Sequence, residues 1–280
     1  MSTNPSLIVT TYNWPEALEL VLVSIQLQTV MPCEVIVADD GSDQRTANLL
    51  AKMKPEFPCP LHHVWQTDNG FQAAKIRNKA ASISSGNYLV FTDGDCILRP
   101  DFILSHKKLA QEKYFVAGNR VLLSPQFTST VLEKKMNIGD WKPGQFQKDD
   151  INRPWALLRI PQGFLRTLQK NRWKGVKTCN LSMSKQALVD VNGFDENFHG
   201  WGYEDSDLVI RLLHRGYQYL NGKFSTTVLH LWHHENDRRQ EGNNWKQLMA
   251  VKNSHKYFSE KGIDQYRHSR IEDFKPDFLV

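Results

Sequence analysis

Short apolar runs alternate with helical periods along the first hundred residues. Leu7-Ile8-Val9-Thr10 reads as a strand. Behind Pro15, Leu18, Val21, Leu22 and Ile25 stand at i, i+3, i+4 and i+7, the stripe of a core-facing helix. Val35-Ile36-Val37-Ala38 is a second strand that stops at Asp39-Asp40-Gly41-Ser42. A helix is predicted over 46–53, a break at Pro55, Pro58 and Pro60, and a third strand over 61–65. A helix over 72–82, ended by Gly86, and a fourth strand over 88–92 follow. This alternation predicts an α/β fold with a mostly parallel central sheet and helices on both faces. One more helix and strand are expected over 100–121. Residues 124–175, rich in Lys, Gln, Asn, Pro and Trp, read as irregular, mobile loops. Periodicity returns near Leu181, and a helix over 204–215 carries Leu208, Leu212 and Leu213, with Gly216 at its end. The polar tail after Lys261 is expected to be poorly ordered.

Composition narrows the class. A chain of 280 residues, 40% hydrophobic and 23% charged, suits one large domain or a domain with an extension. No run approaches the about 18 apolar residues of a membrane span, and the N-terminus lacks the basic region of a secretory signal. The cysteines Cys33, Cys59, Cys96 and Cys179 are widely spaced, against a zinc ribbon or a disulfide framework and in keeping with a reducing cytosol. A net charge of +5 suits a phosphorylated ligand or an anionic membrane surface, without marking nucleic acid as a partner.

Chemistry concentrates at strand ends, where ligands bind in open α/β sheets. The fourth strand runs into Asp93-Gly94-Asp95. Two carboxylates so placed repel unless they share a cation, and a divalent metal holding phosphate oxygens is the simplest such use. The alternative is a turn at Asp93-Gly94. Thr10-Thr11-Tyr12-Asn13 and Asp39-Asp40-Gly41-Ser42 end the first two strands, where a ring and a carboxylate would hold a nucleobase; ordinary turns are the competing reading. There is no Gly-x-Gly-x-x-Gly after the first strand and no phosphate-loop Gly-Lys-Ser/Thr. His230 and His233, three apart, are spaced to converge on one metal from a turn or short helix.

Thr11-Tyr12-Asn13, Ala38-Asp39-Asp40-Gly41-Ser42, Ala74-Lys75-Ile76-Arg77-Asn78 and Thr92-Asp93-Gly94-Asp95, in that order, make the chain resemble the large inverting family 2-like glycosyltransferases with the nucleotide-diphospho-sugar transferase (GT-A) fold. The resemblance implies nucleotide-sugar contacts at Thr10, Tyr12, Asp39, Arg77, Asp93 and Gly94, with Asp95 on the metal. Asn192-Gly193-Phe194-Asp195-Glu196 and Gly200-Trp201-Gly202-Tyr203-Glu204-Asp205-Ser206-Asp207 resemble the C-terminal module of β-1,4-galactosyltransferases and bacterial polysaccharide-synthesising relatives. That likeness implies acceptor contacts at Trp201, Gly202 and Glu204 and a catalytic base at Asp205. Acids in a helix's first turn also complement its dipole, so Glu204, Asp205 and Asp207 have a second explanation; the adjacent Gly-Trp-Gly does not. The galactosyltransferases place two metal ligands three residues apart after this motif, one of them His, which implies a metal role for His230 and His233. Tyr203 stands where those enzymes often have Gly, and the His pair replaces their Met/His pair.

The resemblance thus implies a metal-dependent inverting hexosyltransferase. It would use Mn²⁺ or Mg²⁺ and a nucleotide-diphosphate sugar, UDP-linked, and act on a glycan or glycolipid as in bacterial lipopolysaccharide, capsule or exopolysaccharide synthesis. The setting would be cytoplasmic, and a lipid-linked acceptor would bring peripheral membrane contact. The expected organisation is one domain over 1–260, with a donor half over 1–122 and an acceptor-binding, metal-completing half over 123–260, then a tail over 261–280. A nucleotidyltransferase of similar sheet, or a non-catalytic carbohydrate-binding protein, are the alternatives.

Overall fold

The computed structural model describes residues 3–234 and 238–276. Its centre is a seven-stranded sheet. The predicted strands are β1 (Pro5–Thr11), β2 (Glu34–Asp39), β3 (Leu61–Trp65) and β4 (Tyr88–Asp93). They are wound with α1 (Pro15–Gln26), α2 (Gln44–Met53) and α3 (Ala73–Ile83). A short β5 (Cys96–Ile97), α4 (Phe102–Leu109), β6 (Tyr114–Ala117), β7 (Arg120–Leu122) and α5 (Pro125–Glu133) follow. Then come β8 (Asn180–Ser184), α6 (Lys185–Asp190), α7 (Glu204–His214), β9 (Gln218–Asn221), β10 (Val228–His230) and α8 (Glu241–Lys252). The sheet order is β3-β2-β1-β4-β8-β6-β9. β8 runs antiparallel to both neighbours, and the other pairings are parallel.

Side chains alternate across the strands, so each strand feeds two cores. Leu7, Val9, Val35 and Val37 pack against α1 and α4 through Leu18, Val21, Leu22, Ile25 and Phe102. Ile8, Ile36, Leu89 and Phe91 point the other way, against Ile76 and Ala80 of α3 and Leu208 and Leu212 of α7. Both faces being covered explains why these strands read as continuous apolar runs.

Two expectations change. Residues 124–175 are not irregular throughout, because Ser124 accepts a hydrogen bond from the Phe127 N–H and Pro125 sits at the first position of α5. Beyond α5 the segment is short 3₁₀ turns and loops, as read. The tail is not loose over 261–276. Ile263 and Phe274 are buried in the main core, the Tyr266 hydroxyl donates to Glu196 at 3.0 Å, and Glu196 N–H donates to the Lys261 carbonyl. Residues 277–280 of that tail lie outside the described residues. Three apolar side chains spaced through a polar stretch show too little periodicity to be read as a packing face.

A smaller sheet sets the site. β10 lies between β5 and β7, antiparallel to the first and parallel to the second. Its register puts His230 opposite Cys96, and the Leu231 N–H donates to the Asp95 carbonyl at 2.9 Å. Two segments nearly half the chain apart are thereby held side by side.

Asp207 and Arg211 of α7 form an i,i+4 pair with nitrogen–oxygen distances of 2.7 and 2.8 Å, and both are essentially inaccessible. Arg211 also donates to the Val191 carbonyl at 2.6 Å. Removing one member strands a buried charge, so Asp207→Ala is expected to lower the unfolding free energy by about 3–5 kcal/mol. Urea titration checks it; a loss below about 1 kcal/mol would mean the pair contributes no more than a surface one.

Candidate active site

The C-terminal ends of β1, β2 and β4, the start of α3, the start of α7 and the end of β10 surround one cavity of about 590 Å³. Every predicted site residue except Asp39 lines it. A second cavity of about 560 Å³ adjoins it across Tyr12, Asp40, Phe71 and Trp201.

Arg77 organises the floor. Its guanidinium reaches Thr10 Oγ1 at 3.1 Å, Asp93 Oδ1 at 3.2 Å and Glu204 Oε1 at 3.1 Å, tying the ends of β1 and β4 to the first turn of α7. Burial works against its charge, but Asp93, Glu204 and Asp205 outweigh that and hold it protonated. Burial pushes the Asp93 pKa up; Arg77 opposes this and Asp95 adds to it. Gly94 lies directly under β1. A Cβ there would stand 2.9 Å from Thr11 Oγ1 and 3.0 Å from Thr11 Cβ, so the Asp-x-Asp turn passes this close only with glycine.

Asp95 Oδ2 is 3.6 Å from His230 Nε2 and 3.4 Å from His233 Nε2. Two ligands about 2.1–2.2 Å from one cation lie about 3.0–3.6 Å apart at angles from right to tetrahedral, so each carboxylate–imidazole pair is spaced for a divalent ion. Burial lowers the His230 pKa and keeps it the neutral imidazole that a metal requires. His233 Nδ1 lies 2.6 Å from the His234 carbonyl and donates to it, which leaves the Nε2 lone pair facing Asp95. Cys96 Sγ, fully buried, also borders this group. With Asp95 and His230 it forms a group whose ligand atoms all lie within 4.8 Å of one another, and burial raises its pKa well above the usual thiol range.

The three acids of α7's first turn separate cleanly. Asp207 faces the core and Arg211. Glu204 is held by Arg77, with its pKa raised by burial and then by Asp205. Asp205 lines the cavity, and its oxygens meet Lys177 Nζ at 3.5 Å and the Ser206 hydroxyl at 3.4 Å rather than a backbone N–H. The turn before them is built by left-handed residues: Gly200 at φ 70°, Gly202 at φ 114° and Tyr203 at φ 72°. Gly202 has open space where a Cβ would stand, so its backbone angle is what requires glycine. Tyr203 tolerates the same region with its ring against Trp245 and its hydroxyl on Glu241. Trp201 lies under the Arg238 guanidinium, 4.9 Å from the ring centroid.

Tyr12 stands half-exposed at the rim, its hydroxyl donating to Asp68 at 2.8 Å. Asp39 is fully buried beneath the cavity, accepting from the Ser42 N–H at 2.8 Å and contacting His63 Nε2 at 2.9 Å. Its neighbour Asp40 is the carboxylate on the cavity wall, with its pKa raised by burial to about 6. Lys177, Arg120, Phe71, Trp14 and Trp232 also line the cavity and were missed. Lys177 and Arg120 bring positive charge, yet neither sits in a recognisable spacing. The two tryptophans flank motif residues and were open to notice.

Residues 6–179 match Glycosyl transferase family 2, and residues 165–235 match the family described as N-terminal domain of galactosyltransferase. Validoxylamine A glucosyltransferase of Streptomyces hygroscopicus subsp. limoneus is 28% identical over 218 residues, 74% of this chain and 47% of that protein. Hyaluronan synthase of Pasteurella multocida is 26% identical over 226 residues, 75% of this chain and 23% of that protein. The chain thus spans less than half the length of these curated relatives. Two solved structures share the fold. A mannosyltransferase from Pyrobaculum calidifontis in complex with GDP-Man and Mn²⁺ has a TM-score of 0.55 at 18% identity, over 89% of this chain and 61% of that one. TarS 1-349 of S. aureus in complex with UDP has a TM-score of 0.59 at 14% identity, over 94% and 68%. With residues 6–179 matching that family and its cavity closed by a galactosyltransferase-like segment, the chain belongs to glycosyl transferase family 2 and has the GT-A fold.

Proposed function

We propose that the protein transfers a hexose or N-acetylhexosamine, with inversion, from a UDP-linked sugar to a hydroxyl of a glycan or glycolipid, using Mn²⁺ or Mg²⁺. The observation that carries this is the single cavity onto which Asp93, Asp95, His230, His233 and Asp205 converge. UDP in one structural neighbour, GDP-Man with Mn²⁺ in another and hyaluronan synthase among the relatives support nucleotide-sugar, metal and glycan alike. The four unpaired cysteines suit a reducing, cytoplasmic setting. Among the described residues no helix is long and apolar enough to cross a membrane.

Asp95, His230 and His233 would hold the cation, which when bound supplies positive charge for the leaving diphosphate. Arg77 positions Asp93 and Glu204 and is itself immobilised by them. The acceptor hydroxyl oxygen bonds to the anomeric carbon from the face opposite the diphosphate, the bond to the leaving oxygen breaks, and the hydroxyl proton passes to the Asp205 carboxylate. Trp201 offers an apolar face to the acceptor sugar, and Glu204 a hydrogen-bond acceptor.

A panel of UDP- and GDP-sugars, titrated with and without Mn²⁺, tests the donor. Metal-dependent binding and slow hydrolysis of one UDP-sugar are expected; a preference for GDP-sugars would overturn the UDP assignment. Tyr12→Ala is expected to weaken UDP binding by about 1–3 kcal/mol, the worth of a base stacked on a ring, and Asp39→Ala to weaken it as well. Unchanged calorimetric affinity in both variants would place the base elsewhere, with Asp40 on the cavity wall the next carboxylate to test.

A further inference from the structure

Residues 151–177 carry seven Lys and Arg and no Asp or Glu. The whole chain has a net charge of +5, so everything outside this segment is on balance acidic. The segment is therefore a locally basic stretch, holding seven of the 35 Lys and Arg with no acid between them. Arg159 pairs with Asp101 and Lys177 with Asp205. Arg153, Lys170, Arg172 and Lys174 have no carboxylate partner among the described residues, and the first two and Lys174 are exposed.

The same stretch turns apolar side chains outward. Trp155, Leu158, Ile160, Phe164, Leu165 and Leu168 are between 44% and 78% exposed. They are six of the thirteen exposed large apolar side chains among the described residues, all within 155–168, a clustering along the chain that ordinary scatter does not give. The backbone beneath is pinned. Ala156 and Leu157 are buried, the Leu157 carbonyl accepts from Arg99 at 2.9 Å, and buried Arg166 donates to the Asn221 carbonyl and to Ser225 Oγ. This is a held platform with its apolar side chains outside.

We infer that residues 153–174 dock the enzyme on the surface of an anionic bilayer, with Trp155, Phe164, Leu165 and Leu168 entering the interface and Arg153, Lys170, Arg172 and Lys174 meeting lipid phosphates. Exposed aromatic and aliphatic side chains beside unpaired cations are what an interfacial segment needs. A soluble polyanionic glycan would use the cations and the Trp face but has no use for Leu158, Ile160, Leu165 and Leu168. The placement has a purpose. Arg153 donates to the carbonyl of cavity-lining Arg120, and the segment runs on into Lys177 beside Asp205. Docking here sets the cavity next to the membrane surface, where a lipid-linked acceptor presents its hydroxyl. The inference stands apart from the donor and metal reading, because vesicle binding is measured without turnover.

Cosedimentation of the full chain with phosphatidylcholine vesicles, with and without phosphatidylglycerol, tests it. Partitioning onto the mixed vesicles is expected to exceed that onto phosphatidylcholine alone by about tenfold or more and to fall as salt rises. Phe164→Ser/Leu165→Ser/Leu168→Ser and, separately, Arg153→Gln/Lys170→Gln/Lys174→Gln are each expected to reduce it by about tenfold or more, with Tm little changed because the side chains are exposed. Wild-type protein remaining in the supernatant with mixed vesicles would overturn the inference. So would wild-type vesicle binding by the serine variant together with capture on dextran sulfate, which would assign the surface to soluble polyanions.

Discussion

Asp95→Ala is expected to abolish sugar transfer, and EDTA to do the same to the unaltered enzyme. Asp95 would be the hub of the proposed donor set: its Oδ2 lies within 3.6 Å of both His230 and His233 and would bring an anionic oxygen to the two imidazoles. Without it a cation would be left with two neutral nitrogens, next to an Asp93 already drawn toward Arg77. Metal stabilisation of a leaving diphosphate supplies several kcal/mol, so turnover should fall by about 10³-fold or more. Calorimetry with Mn²⁺ should show loss of the ion from Asp95→Ala while Tm holds, since Asp95 is partly exposed and outside the apolar cores. His233→Ala, at the exposed end of the set, should instead weaken metal binding by roughly 10–100-fold and recover at high Mn²⁺. Full activity in EDTA would remove the metal from the mechanism.

Asp205→Asn separates a base from a helix-end charge. As a dipole partner, Asp205 would contribute only about 0.3–1 kcal/mol of stability, and its loss would leave turnover nearly intact. Its surroundings argue otherwise: among the described residues it caps no backbone N–H, it faces the cavity, and Lys177 is a charged neighbour. The isosteric amide should therefore keep the fold and the donor affinity while kcat falls by about 10²-fold or more. Tm, donor titration and turnover on one preparation give the answer. Near-normal kcat would eliminate the assignment, leaving Glu204, which its clamp to Arg77 makes a poorer proton acceptor.

The elements legible in the sequence were those whose apolar spacing repeats. α1 announced itself through Leu18, Val21, Leu22 and Ile25, all fully buried, and β1, β2 and β4 through runs buried on both faces. α5 was hidden because its three buried residues, Phe127, Thr128 and Val131, sit among Ser, Thr and Gln. The site was legible where chemistry lay in contiguous motifs, and Asp93-Gly94-Asp95 and Trp201-Gly202 through Asp205 do share one cavity. Which of two adjacent carboxylates reaches the cavity wall was not legible. Asp39 and Asp40 are equivalent letters, but the end of β2 sends the first inward to His63 and the second to the wall. Lys177 was invisible for another reason: its place depends on where a long irregular segment re-enters the sheet, which no local pattern encodes.

The pairing of β10 with β5 has a consequence for the newly made chain. Asp95 leaves the ribosome long before His230, which lies on the strand that pairs with β5. Contacts of such sequence separation form late, after the local strand–helix units that precede them. The nascent segment up to β4 would therefore meet a nucleotide-sugar with its proposed cation ligands incomplete. On the proposed metal reading, a chain cut short before β10 would keep the Asp-x-Asp turn and lose both imidazoles, so its cation ligands would be complete only once β10 has been made.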